Sequence, residues 1–345
     1  MKTISTDDLT FVIQGPLAGV DSCVSSIHKY FPGAPIVVST WRDESIEGLN
    51  VDQIILSDPL VPFLDFNERN NYIASQVLST SMGLAAVKTE FAVKVRADHF
   101  FENGNLINII EEMVRCGGEC LSSKSKYSLL HNKIGMSDLI SRDPTKVPLL
   151  FHPSDLIHFG YTKDLIDLWC GDSIEEGDAM FPVVQRRLFG NLLGYSRMKH
   201  VPEQTLMIRW LDKHGVYVEL PYAGFSSYSM FRISESYISY NFMIISWKDL
   251  GLRYPPQIFN ASYSKHSGYQ QSTLDKLIRR SGNRYFSFFR YSQVLIAKYI
   301  TCWLKPIFIY SCINMILFRI SPSLALKVRR NLKKSRNLSH PRGSR

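Results

Sequence analysis

Cysteine is scarce in this sequence, and its few residues show no metal-binding pattern. Six cysteines occur among 345 residues. Cys116 and Cys120 stand close together, but no second pair of Cys or His follows at the spacing of a zinc site. The N-terminal segment also lacks the apolar run of a secretory signal peptide. We therefore expect reduced, mostly buried thiols and a cytoplasmic protein.

Internal repeats are likewise missing, and low complexity is confined to the basic C-terminal end, which excludes the repeat architectures. Hydrophobic residues make up 45% of the chain and charged residues 21%, as in ordinary globular proteins. A chain of this length has room for one large α/β domain and an appendage.

Positive charge is concentrated near the C-terminus. Residues 271–345 hold 16 Lys and Arg against one acidic residue, a net charge of +15. The first 270 residues hold 24 Lys and Arg against 30 acidic residues, or −6, and the two parts sum to the +9 of the whole chain. An acidic body therefore carries a basic tail. Because the body has no recognisable nucleic-acid-binding module, we do not expect nucleic acid as a partner.

This tail is also apolar from Tyr291 to Leu317, where the interruptions are Lys298, Lys305 and Pro306. A lysine in mid-bilayer costs about 2.5–3.5 kcal/mol, which disfavours a membrane-spanning helix. Two short interfacial helices joined at Pro306 fit the pattern, with the basic residues from Lys327 to Arg336 facing an anionic membrane surface. The alternative is a packed helical hairpin followed by a disordered basic end.

Apolar segments in the first hundred residues predict a mostly parallel sheet. Some have the length and residue types of strands, and the stretches between them show apolar residues at helical spacing. Their order along the chain is β-α-β-β-α-β, which is typical of a doubly wound α/β sheet. The predicted strands are Leu9–Gln14, Ile36–Thr40, Val51–Leu56 and Phe91–Arg96, and the predicted helices are Asp21–Tyr30 and Asn67–Met82.

Polar residues cluster where these predicted strands end. In open α/β sheets, ligands bind outside the carboxyl ends of the strands. Arginine suits phosphate oxygens, and a carboxylate can share Mg²⁺ or Mn²⁺ with a diphosphate, so the pattern predicts a phosphate-bearing ligand. The residues at the strand ends are Gln14, Gly15, Ser39, Thr40, Trp41, Arg42, Asp58, Arg96 and Asp98.

Strand alternation puts three charged side chains on one face of the segment that follows Phe91. Lys94, Arg96 and Asp98 share that face, and apolar residues occupy the other. Charges on a buried strand are costly unless they contact a ligand or one another. Two interpretations stay open here: a ligand site, or an ion pair or network formed between Asp98 and its basic neighbours.

Several short motifs in a particular order resemble one bacterial protein family. The chain is similar to the WavE-type lipopolysaccharide synthesis proteins over roughly residues 8–220. This resemblance implies a GT-A-like (Rossmann-like) fold and a glycosyltransferase that moves a sugar from a nucleotide-sugar donor to a lipopolysaccharide or other lipid-linked acceptor. The motifs are QGP (14–16), STW (39–41), FNERNNYIAS (66–75), KVRAD (94–98), SDLIHFGYTKDLIDLW (154–169) and VPEQ (201–204).

The same resemblance suggests roles for the polar residues on the donor side. Asp98 would act in catalysis, either by orienting the sugar or by binding Mg²⁺ or Mn²⁺. The chain departs here from typical GT-A enzymes, because their DxD motif has two aspartates and Arg96-Ala97-Asp98 has one. The donor would be bound by Gln14, Gly15, Pro16, Ser39, Thr40, Trp41, Asp58, Arg69, Lys94 and Arg96.

On the acceptor side, two carboxylates are candidates for the general base of an inverting transfer. Glu203, which opens a predicted helix ending at Leu211, is the first choice, and Asp155 is the second. A Glu in the first turn also complements the helix dipole, so a structural role for Glu203 stays open. Asp155 lies at the start of a further predicted strand, Ser154–Gly160, and His158 within that strand is interpreted as structural.

The resemblance and the composition together suggest three regions. Residues 1–220 would form the catalytic domain, with a donor half at about 8–123 and an acceptor half at about 150–220. Residues 221–290 would form a helical extension, and residues 291–345 a tail on the inner face of the cytoplasmic membrane. Five aromatic residues in or beside this extension either face carbohydrate or form ordinary core: Tyr228, Tyr237, Tyr240, Trp247 and Tyr254.

Two other functions remain as alternatives. One is a catalytically silent glycan-binding or scaffold protein on the same fold, which the single carboxylate at Asp98 leaves open. The other is a sugar nucleotidyltransferase, which would need a Gly-rich loop with a basic residue early in the chain. Only Gly15 and Gly19 occur there.

Overall fold

The computed structural model describes residues 3–65, 70–120, 125–184, 196–255, 266–304 and 306–339. Its strands are β1 Leu9–Gln14, β2 Ile36–Trp41, β3 Gln53–Ser57, β4 Phe91–Arg96, β5 Phe100–Phe101, β6 Ile134–Ser137, β7 Ile157–Tyr161, β8 Phe242–Ile245 and β9 Leu252–Arg253. Its helices are α1 Val20–Tyr30, α2 Ile73–Ala85, α3 Asn105–Cys120, α4 Thr162–Trp169, α5 Glu176–Ala179, α6 Pro202–Lys213, α7 Tyr228–Asn241, α8 Gln271–Arg279, α9 Arg284–Ile296, α10 Pro306–Ile320 and α11 Pro322–Ser339. A short 3₁₀ turn, Thr6–Asp8, precedes β1, and a π-helical turn, Ala297–Thr301, follows α9.

The central sheet of the described residues has seven strands in the order β3-β2-β1-β4-β7-β6-β8. β1 to β4 run parallel, β7 runs antiparallel to β4 and β6, and β8 is parallel to β6. The predicted mostly parallel α/β sheet flanked by helices is therefore confirmed, and it is compatible with the expected GT-A-like fold.

The strands predicted in the first hundred residues are present, with small shifts at their ends. The third strand starts two residues later than predicted, at Gln53. The second helix starts at Ile73 rather than Asn67, and the side chain of Asn71 accepts a hydrogen bond from the Ile73 backbone N–H there at 3.0 Å. Asn67 itself lies outside the described residues.

Two apolar layers cover the two faces of this sheet. Phe11 and Val93 belong to the layer that α1 and α3 complete. Val12 and Ala92 belong to the opposite layer, which α2, α4, α6 and α7 complete. Because side chains alternate along a strand, Lys94 and Arg96 project to the same face as Ala92, toward α2, α4 and α6. The sheet thus delivers the basic residues of β4 to one defined face.

Two strands of this sheet, β6 and β8, were not predicted from the sequence. β6 lies between the expected donor half and the expected acceptor half, and β8 lies in the expected helical extension. Both are only four residues long, too short for a periodic pattern to be read. Gly135 in β6 leaves room for the ring of Phe159 on β7, which packs directly against it. The expected boundary near residue 220 therefore does not coincide with a break in the sheet, since β8 pairs with β6.

The aromatic residues of the expected extension pack in the core or against it. Tyr237 and Tyr254 are buried members of the two apolar layers, and Tyr228 and Trp247 pack against those layers. Tyr240 stacks on Tyr127 with ring centroids 6.2 Å apart. Of the two interpretations left open for these residues, ordinary core packing is the one that the structure supports.

The C-terminal helices divide at the predicted place. Pro306 begins α10, so the predicted break at this proline is confirmed. Upstream of it, α9 packs on the body: Val294 belongs to the apolar layer containing Val12, and Arg290 is buried. Within the described part of the chain, no helix combines the length and hydrophobicity needed to cross a membrane.

Candidate active site

The loop that follows β1 lies against the end of β4. β1 pairs with β4 so that Gln14 is level with Arg96. Gly15 has a φ of +94°, a left-handed conformation that glycine adopts without strain. At Gly19, just before α1, the position that a Cβ would occupy is only 3.4 Å from the Cα of Asp98. That distance is ordinary van der Waals contact, but Gly19 has a φ of +90°, and this left-handed conformation is the reason that glycine is favoured here.

Polar side chains beneath this loop hold its start in place. The side-chain oxygen of Gln14 accepts a hydrogen bond from the Ser79 hydroxyl of α2 at 3.0 Å. The Thr40 hydroxyl, at the end of β2, donates to the carbonyl of Gly15 at 3.0 Å. Both Gln14 and Thr40 are buried. They support the backbone of the loop, and the exposed Pro16 follows directly.

Of the other predicted donor-binding residues, Ser39 contacts this loop through its backbone, because its carbonyl accepts a hydrogen bond from the Gly15 N–H at 3.1 Å. Ser39 is buried under α2, with its Cβ 3.2 Å from the position that a Cβ on Gly83 would take. Trp41 is buried. Asp58 is exposed and forms an ion pair with Arg42 at 2.8 Å. Arg69, also predicted to bind the donor, lies outside the described residues.

Lys94 lies wholly inside the protein at the centre of the candidate site. Its ammonium group donates to the backbone carbonyl of Asp155 and lies 4.7 Å from the centroid of the Trp169 ring, in a cation–π contact. Burial lowers the pKa of Lys94 to about 8, against the opposing effect of the Asp155 carboxylate. The predicted alternative of a Lys94–Asp98 network is wrong in detail, because Lys94 hydrogen-bonds to Asp155.

Asp155 is buried beside Lys94, just before β7. Its carboxylate accepts a hydrogen bond from the side-chain amide of Gln76, on α2, at 2.5 Å. Burial alone would raise the pKa of Asp155, but the charge of Lys94 and the hydrogen bond from Gln76 outweigh burial and lower it. Asp155 is therefore a buried anion whose charge is balanced by its neighbours.

Glu203 faces the same cluster from the first turn of α6. Its side chain is 14% exposed. Burial, reinforced by the negative charge of Asp155, raises the pKa of Glu203 to about 8. Capping of α6 is carried out by the next residue, because the Gln204 side chain accepts a hydrogen bond from the Val201 backbone N–H at 3.3 Å. The carboxyl of Glu203 is left to face the cluster.

A neutral histidine lies next to this carboxyl. The Nε2 atom of His152 is 3.6 Å from Oε2 of Glu203, too far for a hydrogen bond. Burial, with the charge of Arg142, lowers the pKa of His152 to about 3, so the ring is uncharged at neutral pH. The pair is consequently no ion pair under those conditions, and Glu203 gains no positive neighbour from His152.

Arg96 and Asp98 form a two-point clamp at the end of β4. The Nε of Arg96 donates to Oδ1 of Asp98 at 3.0 Å, and Nη2 donates to Oδ2 at 2.7 Å. The Arg96 side chain is 40% exposed and that of Asp98 26%. The ion pair that was one of the two sequence interpretations is therefore present. The two hydrogen bonds hold the guanidinium in one plane, and the Arg96 side chain as a whole remains partly exposed.

His99 supports the clamp from the interior. Its Nδ1 lies 2.7 Å from Oδ1 of Asp98, and its ring meets Tyr254 edge-on with centroids 4.7 Å apart. Burial lowers the pKa of His99 despite the nearby carboxylate, so a neutral ring donates its Nδ1–H to Asp98. Burial would raise the pKa of Asp98, but the hydrogen bonds from His99 and Arg96 hold it well below its usual range.

The expected Mg²⁺ or Mn²⁺ does not fit the residues around Asp98. Both carboxylate oxygens are already engaged by Arg96 and His99. In the part of the chain that the structure describes, no group of three or more His, Cys, Asp or Glu side chains is arranged to hold a metal ion. Hard divalent cations need several oxygen ligands, and the residues around Asp98 do not supply them.

The structure thus brings four of the predicted residues close enough to interact through their charges, namely Lys94, Arg96, Asp155 and Glu203, with Asp98 beside Arg96. Sequence reasoning missed Gln76, His99, His152 and Trp169. His99 adjoins Asp98 and could have been noticed for that reason, whereas the others carry no local signal. His158, interpreted as structural, is buried and accepts a hydrogen bond from the Trp169 indole at 3.0 Å.

Comparison with known proteins agrees with the motifs in the sequence. A family model described as WavE lipopolysaccharide synthesis matches residues 9–305. No curated protein matches the chain at a significant level. The family match covers well over half of the chain, from the start of β1 to the turn before α10. The protein belongs to the WavE lipopolysaccharide synthesis family.

Proposed function

We propose that this protein is a glycosyltransferase acting in lipopolysaccharide synthesis. It would transfer a sugar from a nucleotide-sugar donor to a lipopolysaccharide or lipid-linked acceptor at the cytoplasmic face of the membrane. The observation that carries the proposal is the carboxyl of Glu203, whose pKa is raised to about 8 beside the charged group formed by Lys94, Arg96 and Asp155. Perturbed ionisable groups at the end of a sheet strand are typical of catalytic sites.

Glu203 supplies the base in this proposal. A general base works best when its pKa lies near the working pH, and a pKa of about 8 meets that condition. In an inverting transfer the acceptor hydroxyl attacks the anomeric carbon, its proton passes to Glu203, and the bond from that carbon to the diphosphate oxygen breaks. Asp155, whose pKa is lowered and whose carboxylate already binds Gln76, is the weaker candidate.

Arg96 supplies the charge that stabilises the departing diphosphate. A guanidinium has five N–H donors, and the hydrogen bonds from Arg96 to Asp98 use the Nε and Nη2 atoms. The rest of this partly exposed group is available to phosphate oxygens, which arginine binds in a forked geometry. Lys94 is buried, so it would act through its field rather than by contact. A metal ion has no role in this scheme.

The first test is a donor assay with a panel of nucleotide sugars, measured with and without a lipid-linked acceptor. We expect one donor to be hydrolysed slowly alone and consumed faster with the acceptor, and a chelator to leave both rates unchanged. Donor binding without any turnover would favour the glycan-binding alternative. Release of pyrophosphate from a sugar phosphate and a nucleoside triphosphate would instead indicate a nucleotidyltransferase.

A further inference from the structure

Helix α9 is held on the body of the protein by its buried face. Arg290 donates to Glu235 at 2.6 Å and to Asp143 at 3.1 Å, and all three side chains are buried. Val294, one turn further along, belongs to an apolar layer of the sheet. Because this ion cluster and the packing lie on one side of α9, the orientation of the helix on the body is determined.

The opposite side of α9 is apolar but exposed. Tyr285 is 90% exposed, Phe288 65% and Phe289 62%. Positions three, four and eleven residues apart fall on one side of a helix, so Ile296 continues the same surface. We call the exposed surface of Tyr285, Phe288, Phe289, Ile296, Tyr299 and Ile300 the α9 apolar face. Aromatic side chains of this size are seldom left together in water without a function.

A second exposed stripe follows on α10. Ile309, Ile313, Ile316 and Ile320 recur at helical spacing, and each is about half exposed or more. Leu304, between the two helices, is also exposed. The apolar surface therefore extends beyond the helix that the body holds, into the helix that Pro306 begins.

Basic side chains border the start of the α9 apolar face. Lys276 and Arg279 lie in the last turns of α8, Arg280 directly follows that helix and Arg284 begins α9, and all four are exposed. Residues 271–345 as a whole hold 16 basic residues against one acidic residue. Two such surfaces would repel each other, which argues against a second copy of the chain as the partner. A negatively charged, apolar partner complements both properties.

We propose that the α9 apolar face lies on an anionic lipid bilayer, with the aromatic rings at the level of the headgroups and the arginines paired with lipid phosphates. Aromatic and basic residues on one exposed helix face are the features of interfacial helices. Since α9 is locked to the body through Arg290, docking of this face also sets the orientation of the catalytic domain. This inference rests on the membrane location proposed above and names the surface of the protein that makes the contact. Vesicle binding tests it in the absence of any nucleotide sugar.

The experiment uses the full chain and sedimentation with vesicles of phosphatidylcholine, either alone or mixed with phosphatidylglycerol. The test variant replaces Tyr285, Phe288 and Phe289 by serine. Tyr217→Ser is the matched control, because Tyr217 is 80% exposed but lies on the body after α6. We expect strong binding to the anionic vesicles, a loss of at least about tenfold in the triple variant, and no loss in the control.

A charge variant separates the two contributions to binding. Replacing Arg279, Arg280 and Arg284 by Gln should weaken binding by about fivefold per charge at low salt, and the difference should shrink as salt rises. Failure of the full chain to bind anionic vesicles would overturn the proposal, as would wild-type binding by the triple serine variant. Concentration-dependent dimerisation that the serine variant loses would assign the face to a contact between copies instead. Nucleotide binding and thermal unfolding of each variant show that the body is intact, and Phe288→Ser alone repeats the test with the smallest change.

Discussion

Folded proteins usually bury apolar side chains and expose charged ones, and the end of β4 and the outer side of α9 depart from this rule in opposite ways. At the first, Lys94 and Asp155 are buried charges; at the second, Tyr285 and Phe288 are exposed apolar side chains. Buried charges cost free energy unless they are paired, and exposed aromatic clusters are unfavourable in water. The comparison teaches that each departure needs a partner to offset it, which is why we propose a charged ligand at the first region and a lipid surface at the second.

The largest expected effect is on the reaction. Glu203→Gln keeps the size of the side chain but removes the base, so the transfer rate should fall by about 10²–10⁴-fold while nucleotide binding is retained. Transfer kinetics and calorimetric nucleotide binding measure the two effects. Glu219→Gln, at an exposed position on the body, is the matched control. A loss of only a few-fold would mean that Glu203 serves α6 rather than catalysis.

Arg290 tests how firmly the two regions are joined. Arg290→Met leaves the carboxylates of Glu235 and Asp143 buried without their partner, which should lower the free energy of unfolding by about 3–5 kcal/mol. The control is Arg279→Met, at an exposed position of the neighbouring helix, which should change stability by less than about 0.5 kcal/mol. Urea unfolding measures both. Equal stability of the two variants would show that α9 is not locked to the body.

The clamp at the end of β4 can be tested through Asp98. Asp98→Asn removes the charge that orients Arg96, so turnover should fall by about 10²-fold, comparable to the loss of one preorganised charged contact. Arg96→Ala should raise KM for the donor, because the guanidinium itself is removed. Both variants should be as insensitive to chelators as the natural protein. A change in the activity of either variant when Mn²⁺ is added would contradict the metal-free scheme.

The pH dependence tests whether the buried charges behave as described. Below about pH 8 Glu203 holds a proton and cannot accept one, and above about pH 8 Lys94 loses its charge. We therefore expect kcat/KM to rise with pH, pass through a maximum near 8 and fall again. In Glu203→Gln the acidic limb should disappear. An acidic limb near pH 4.5, the ordinary value for glutamate, would contradict the raised pKa.

The smallest effect on the body is expected from removing the chain after Leu304. α9 and its buried Arg290 and Val294 are retained, so the midpoint of thermal unfolding and donor hydrolysis should change little. Binding to anionic vesicles should weaken, since the α10 stripe and most of the basic tail are lost. The comparison variant ends at Gln270, and it should be strongly destabilised because Leu274 and Val294 are core residues. Equal stability of the two truncated proteins would place α9 outside the core.

Local pattern was sufficient for one half of the fold. β1, β2 and β4 are rich in apolar residues and buried along almost their whole length, because parallel strands in the middle of a sheet are covered on both faces. β6 and β8 were missed because four residues carry no period. The start of the C-terminal tail was predicted too early for a related reason. An apolar helix face has the same sequence pattern whether it packs on the body, as Val294 does, or remains exposed.

The sequence by itself determined the order of the first strands, the row of polar residues at their ends, the break at Pro306 and the basic, apolar character of the tail. Each of these features depends on the secondary-structure propensities and the polarity of residues that lie close together in the sequence. Only the tertiary structure decided that Lys94 hydrogen-bonds to Asp155, 61 residues away, and that Glu203 shares their surroundings. It also decided that α9 turns Arg290 inward and Tyr285 outward. These outcomes depend on burial and on charges brought together from distant parts of the chain, and neither is written in local spacing.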